Sequence, residues 1–123
     1  MASLHTIERQ RGIKEAGQQL GVLRERWPLA FPVQAQDVRP LALGIAGQIA
    51  AAMGWSLPYT LSVLRHWKMA AVYCRAVLAH DQRIALDGAP AEAVDTEAKE
   101  LAAKQLARIE ARAPALHPSR HHK

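Results

Sequence analysis

Arg83-Ile84-Ala85-Leu86-Asp87-Gly88-Ala89-Pro90 alternates strictly over its first five residues. Ile84 and Leu86 fall on one face and Arg83, Ala85 and Asp87 on the other, the pattern of a short half-buried strand with Arg83 on its solvent side. Asp87-Gly88 supplies a turn, and Ala91 to Val94 can return as a second short strand. Around this hairpin the apolar residues recur at three and four positions instead of two. The expected fold is therefore mainly α with a short β-hairpin: about five helices and two short strands in a single compact domain.

Before the hairpin, Ile13, Ala16, Leu20, Leu23 and Trp27 form one helical stripe, weakened by Gly12, Gly17 and Gly21, each costing about 1 kcal/mol relative to Ala. Pro28 and Pro32 enforce an extended connection to Val38. After Arg39-Pro40, the spacing of Leu41, Ile45, Ile49 and Ala52 predicts a second helix ending near Met53, with Gly54 as its C-terminal cap. Ser56 is the expected N-cap of a third helix, which tolerates Pro58 in its first turn and buries Leu57, Leu61 and Leu64. Helical pattern continues through Met69, Val72, Ala76 and Val77 after a break near Trp67, and stops at His80-Asp81-Gln82. Beyond the hairpin, Asp95 caps a last helix with the stripe Ala98, Leu101, Ala102, Leu106 and Ile109. Lys104, Arg108 and Arg112 form a ladder on another face, read as a solvated one.

The chain has 123 residues, enough for one domain with a modest core. Three segments are expected: an N-terminal extension over 1–19, partly helical; the folded domain over 20–113; and a flexible basic tail over 114–123. Sixteen Lys and Arg against eleven Asp and Glu give a formal charge of +5, spread along the chain instead of gathered at one end. That balance admits a polyanion or an anionic surface as partner and names neither. Cys74 stands alone, so no intramolecular disulfide or paired-thiolate zinc site is available. The opening MASLHTIERQRGIKE has no apolar core, and the longest apolar stretch, Leu41 to Trp55, falls short of the ~20 residues that span a bilayer. A cytoplasmic protein without cofactor or metal is expected, and nothing resembling a long exposed heptad calls for a dimer, so a monomer is expected.

No glycine-rich phosphate loop follows a strand and no nucleophile sits in a recognisable elbow, so the chain is not expected to be an enzyme. Asp81 and Asp87 are turn residues. Trp27, Trp55 and Trp67 read as packing residues, Cys74 as a small buried hydrophobe, and His117, His121 and His122 as part of a solvated tail.

Taken in order, residues 39–45 (RPLALGI), Leu64-Arg65, Tyr73, residues 83–90 (RIALDGAP) and the closing Ala-rich helix resemble the ProQ/FinO family of bacterial RNA chaperones. The resemblance covers about residues 20 to 110, and its most specific parts are RPLALGI and the RIALDGAP hairpin with a tyrosine ten residues ahead. It implies a helical domain with a concave basic face that grips terminator-like hairpins and the single-stranded 3′ tail after them, in post-transcriptional regulation by small RNAs. Carried over onto matching positions, it assigns RNA contact to Arg39, Arg65, Tyr73 and Arg83, with Leu41 shaping the surface. Arginine offers bidentate contacts to phosphate, and tyrosine can stack on a base or donate its hydroxyl. Where many relatives carry a basic residue this chain has Ala42, and Leu57 and Leu61 stand where basic residues are common. Lys68 and Arg75 are the candidates to supply the missing charge. Replacing Tyr73 or Arg83 with Ala is expected to weaken RNA binding and spare thermal stability.

The competing reading is a DNA-binding helix-turn-helix over Ile49 to Val63, with a central Gly54 and apolar positions in the right places. Its second helix starts with Pro58, Tyr59, Thr60 and Ser62, which offer little of the base-reading chemistry such a helix needs. A helical protein-interaction module without nucleic acid is a third possibility.

Overall fold

The computed structural model describes residues 4–112, with side-chain surroundings from Gln10 onward. Among these residues five α-helices and two strands follow in the order α1 (Leu4–Arg26), α2 (Ile45–Met53), α3 (Leu57–Lys68), α4 (Ala71–Ala79), β1 (Gln82–Ile84), β2 (Pro90–Ala93) and α5 (Thr96–Arg112), with one 3-10 turn at Ala35–Asp37. The basic tail expected over 114–123, with its three histidines, lies outside the described residues. Helix α1 runs unbroken across the expected boundary at residue 19, and Ala16 is already buried.

Helix α3 is the hub and packs on α1, α2 and α4, while α4 packs on α5. Phe31, Leu23, Leu41, Ile45, Ile49 and Leu64 are fully buried at the centre. Each such side chain stabilises the fold by about 1.5–3 kcal/mol relative to exposure. Trp67 meets Phe31 edge-on with ring centroids 5.5 Å apart, a packing role, and Cys74 is buried.

Chain punctuation follows the expected chemistry. Ser56 Oγ accepts from the Tyr59 N–H at 3.2 Å and caps α3. Gly54, at φ 70°, ends α2 in the left-handed region where only glycine sits without strain. Asp95 Oδ1 accepts from the Ala98 N–H at 2.8 Å and caps α5. The break expected near Trp67 falls between Lys68 and Ala71.

Several expectations need correction. Leu41 does not begin α2. Residues 40–42 are extended, the Ile84 N–H donates to the Pro40 carbonyl and the Ala42 N–H to the Ile84 carbonyl, both at 2.8 Å, so this segment lies parallel to β1. Pro40 disfavours helical geometry at Arg39 and leaves its carbonyl to a neighbouring strand. The buried face of α3 is Thr60, Val63 and Leu64, while Leu57 and Leu61 are exposed. Thr60 can be buried because its hydroxyl donates to the Ser56 carbonyl at 2.9 Å, which removes the usual polar cost. Ile13 and Leu101 are also exposed, although both lie on predicted stripes.

The hairpin differs most. Strand β1 stops at Ile84, because the Ala85 N–H bonds to the Ala89 carbonyl and the Gly88 N–H to the Ala85 carbonyl, closing the turn early. Arg83 is not on a solvent face: it is 7% exposed, and α4 and α5 cover the side on which it projects. Gln82 stays exposed and Ile84 is half-buried, so the arginine is the most covered residue of the strand.

Candidate nucleic-acid interface

The backbone of Leu41 organises the polar groups beneath α4. Its N–H donates to Tyr73 Oη at 2.9 Å, and its carbonyl accepts from Arg83 Nη1 at 3.0 Å. A tyrosine from α4 and an arginine from β1 are thus fixed on one peptide unit from the segment before α2. Because Oη accepts from Leu41, its own hydrogen remains free to donate outward. Burial raises the Tyr73 pKa above the ordinary tyrosine range, so the hydroxyl keeps that hydrogen at neutral pH. Arg83 Nε is buried with no partner, and among the described residues the one ion pair is Lys99–Asp81.

Tyr73, Arg83 and Lys68 line a hollow of about 250 Å³ between α4 and α5. Val77, Ala98 and Ala102 form its apolar wall, and no carboxylate borders it. Lys68 is accessible as a residue, yet the protein around its ammonium removes enough water to lower its pKa, and the Arg83 charge lowers it further.

Arg65 lies in a neighbouring hollow of about 660 Å³ with His66 and Arg112. Met69 and Gln105 border both hollows, and Gln105 Nε2 donates to the Met69 carbonyl at 3.1 Å across the ridge between them. Arg108 in turn donates to Gln105 Oε1 at 2.7 Å. The ladder read as a solvated face therefore feeds this groove: Arg112 borders it and Arg108 holds the glutamine at its centre. Gln105 escaped the sequence reading, since a lone glutamine on a polar helix face carries no pattern.

The remaining assigned residues lie elsewhere. Arg39 is pinned by its own loop, with Nη1 donating to the carbonyls of Gln36 at 2.9 Å and Val38 at 3.0 Å. It borders a third hollow, about 280 Å³, which Arg83 reaches from its other side. Arg75 points away from Tyr73 and lines a separate hollow with Gln36, Val38 and His80. Leu41 is wholly buried and acts through its backbone, not by presenting a side chain. His80 is shifted toward the neutral form by burial first and then by Arg39 and Lys99. Lys99 Nζ donates to the carbonyls of Val77, Leu78 and His80 at 3.0 to 3.1 Å, capping the end of α4.

The expectation that Ala substitutions at Tyr73 and Arg83 would spare stability conflicts with their burial. Tyr73 is 6% exposed, and each side chain satisfies a backbone group of Leu41.

A family model described as "ProQ/FINO family" matches residues 13–116, most of the chain. The chain belongs to the ProQ/FinO family. Two solved structures share this ProQ/FinO fold. A FinO-like RNA chaperone from Neisseria meningitidis aligns with a TM-score of 0.59 at 20% identity, covering 72% of this chain and 90% of that one. A ProQ homolog from Legionella pneumophila aligns at 0.57 and 18% identity, covering 72% and 78%. No curated protein matches this chain. In this ProQ/FinO domain no described helix is long and apolar enough to cross a membrane, and no group of three or more His, Cys, Asp and Glu is assembled for a metal among the described residues.

Proposed function

We propose that this ProQ/FinO domain is an RNA-binding protein that acts as an RNA chaperone, gripping a structured hairpin and its single-stranded 3′ tail in post-transcriptional regulation by small RNAs. The observation that carries the reading is the Leu41-centred cluster: Tyr73, Arg83 and Lys68 bring hydrogen-bond donors to one hollow that no carboxylate borders. A cationic hollow without acidic neighbours suits phosphate, and a hollow with apolar walls suits a ribose or an unpaired base. The groove past Gln105 to Arg65 and Arg112 offers further cations for the backbone of the stem.

The first turn of α3 exposes Leu57 and Leu61, and Tyr59 Oη donates to Glu15 at 2.7 Å. That surface is poor in the donors that read base edges, which weighs against the helix-turn-helix alternative. The test compares binding of a labelled hairpin RNA with a 3′ uridine tail, the same hairpin without the tail, and duplex DNA. Tail-dependent RNA binding that weakens steeply with salt is expected. Preference for duplex DNA supports the alternative, and absence of binding at moderate salt removes the RNA reading.

A further inference from the structure

Between Arg39 and Arg65 the chain carries no charged side chain, although its formal charge is +5. Within this run α3 exposes two large leucines, Leu57 at 49% and Leu61 at 52%. They are four positions apart and so lie one above the other on the helix. Arg65 and Lys68 continue the same stripe, which is therefore apolar in the first turns of α3 and cationic in the last. The apolar half takes no part in the RNA groove, since neither leucine borders the hollows of Lys68 or Arg65. Nor does the core need it, because Thr60, Val63 and Leu64 already fill the inner face of the helix.

Charged side chains from other elements reach the uncharged run through hydrogen bonds. Glu15 of α1 accepts from Tyr59 Oη at 2.7 Å, Arg26 of α1 donates to the Ala52 carbonyl at 3.3 Å, and Glu92 of β2 accepts from the Leu43 N–H at 3.2 Å. Tyr59 is two residues from each leucine and faces another side of the helix, while Ala52 and Leu43 belong to α2 and the segment before it. The exposed neighbours are Pro58 and Ser62 on α3 and Gly47, Gln48 and Ala51 on α2, all uncharged. Leu29 and Val33, also large and exposed, have charged company: Asp37 and Arg39 border the hollow at Leu29.

Charge selects the occupant. Interface centres are depleted in charged residues, and a twofold contact sets a surface against its own copy, so any charge on it meets its like. A face without charge is where two molecules of +5 can meet without that cost. An acidic partner protein is instead steered to the cationic grooves. We propose that the face of α3 around Leu57 and Leu61 is a self-association surface, where a second copy of this chain docks its own α3 antiparallel about a twofold axis between the two leucines. Each Leu57 then packs on the partner's Leu61, and each Arg65 and Lys68 falls beyond the partner's Ser56, toward uncharged chain. The last turns of α3 stay open, so the pair carries two cationic grooves on one particle. A patch this small lies below the ~1,200 Å² of stable interfaces, so the pair is weak and forms as concentration rises.

Sedimentation equilibrium of the full chain without RNA, from about 10 to 500 µM, tests this. The weight-average mass is expected to rise from 13.5 kDa toward twice that value. Leu57→Lys and Leu61→Lys should each weaken association about tenfold or more. Val33→Lys adds the same charge at a site that is 72% exposed and should change it by less than about twofold. Thermal circular dichroism matching the parent's shows that each variant is folded, and Ser62→Lys, at an exposed position beside Leu61, replaces a leucine variant that is not. An equimolar mixture of Leu61→Lys and Leu61→Glu should recover association that neither shows alone, since both copies of this residue lie beside the axis. Higher salt should strengthen the pair by screening the +5 repulsion, opposite to its effect on RNA binding. A mass that stays at 13.5 kDa at the highest concentration overturns the proposal. So does association that survives the leucine variants, falls equally with Val33→Lys, weakens with salt, or is no stronger in the mixture than in its components. Because no RNA is present, such a failure leaves the RNA-binding reading untouched.

Discussion

Leu41 was legible in the sequence as an apolar residue in a recognisable segment, but its importance lies in its peptide group. Its N–H and carbonyl hold Tyr73 and Arg83, and hydropathy patterns say nothing about where a backbone hydrogen bond goes. Tyr73→Phe tests this arrangement: it keeps the ring and deprives a buried N–H of its acceptor, a cost of about 1–3 kcal/mol. A lower urea midpoint with unchanged slope is expected; an unchanged midpoint would mean that the Leu41 N–H finds another partner. Lys68 makes the opposite prediction. Its pKa is lowered in the folded state by burial and by Arg83, so folding binds that proton less readily than the unfolded chain does. The resulting cost is fully present below the folded pKa and disappears as pH rises past the unfolded lysine value of about 10.4. Lys68→Met should therefore melt at a higher temperature than the parent at pH 7, with the gap closing as pH is raised toward about 10.5, as thermal circular dichroism can measure. In the sequence, Lys68 and Arg75 are equally credible as replacement charges. Only Lys68 lies at the hollow, because residues two apart on a helix, as Tyr73 and Arg75 are, face different directions.

At the scale of elements, caps and breaks were readable because each rests on local chemistry: Ser56, Asp95 and Gly54 act within a few residues of themselves. The faces of elements were less so. Leu57 and Leu61 are larger and more apolar than Thr60, yet Thr60 is buried, since one hydrogen bond to Ser56 neutralises its hydroxyl. Arg83 followed the strand's alternation, but nothing local to the strand signals that α4 and α5 cover that face. The hairpin turn is the most specific of these elements. Gly88 has φ +87°, and a Cβ there would meet Leu29 Cδ1 at 2.9 Å. Gly88→Ala combines a left-handed backbone cost of about 1–2 kcal/mol with the displacement of Leu29. A clearly lowered thermal midpoint is expected, with weaker RNA binding in proportion to unfolding; a midpoint equal to the parent's would show that the turn adapts freely.

For the molecule as a whole, the family was readable from the ordered motifs, and the family match and the shared fold agree with that reading. What the motifs did not disclose is how the assigned residues divide. Tyr73, Arg83 and Lys68 share one hollow around the Leu41 backbone, Arg65 and Arg112 share the next, and Arg39 and Arg75 border others. Such grouping depends on packing between elements far apart in sequence, with Arg83 meeting Leu41 across 42 positions. The groove from Arg112 past Gln105 to Arg83 would be the route of the RNA in this account, with α4's opposite side left free. Amide chemical shifts recorded by NMR during titration with a 3′-tailed hairpin RNA test this most directly. The account predicts the largest changes at Leu41, Lys68, Tyr73, Arg83 and Gln105, and small ones at Arg75 and along α2. Large changes confined to α2 and the first turn of α3, with the Leu41 cluster unmoved, would contradict it.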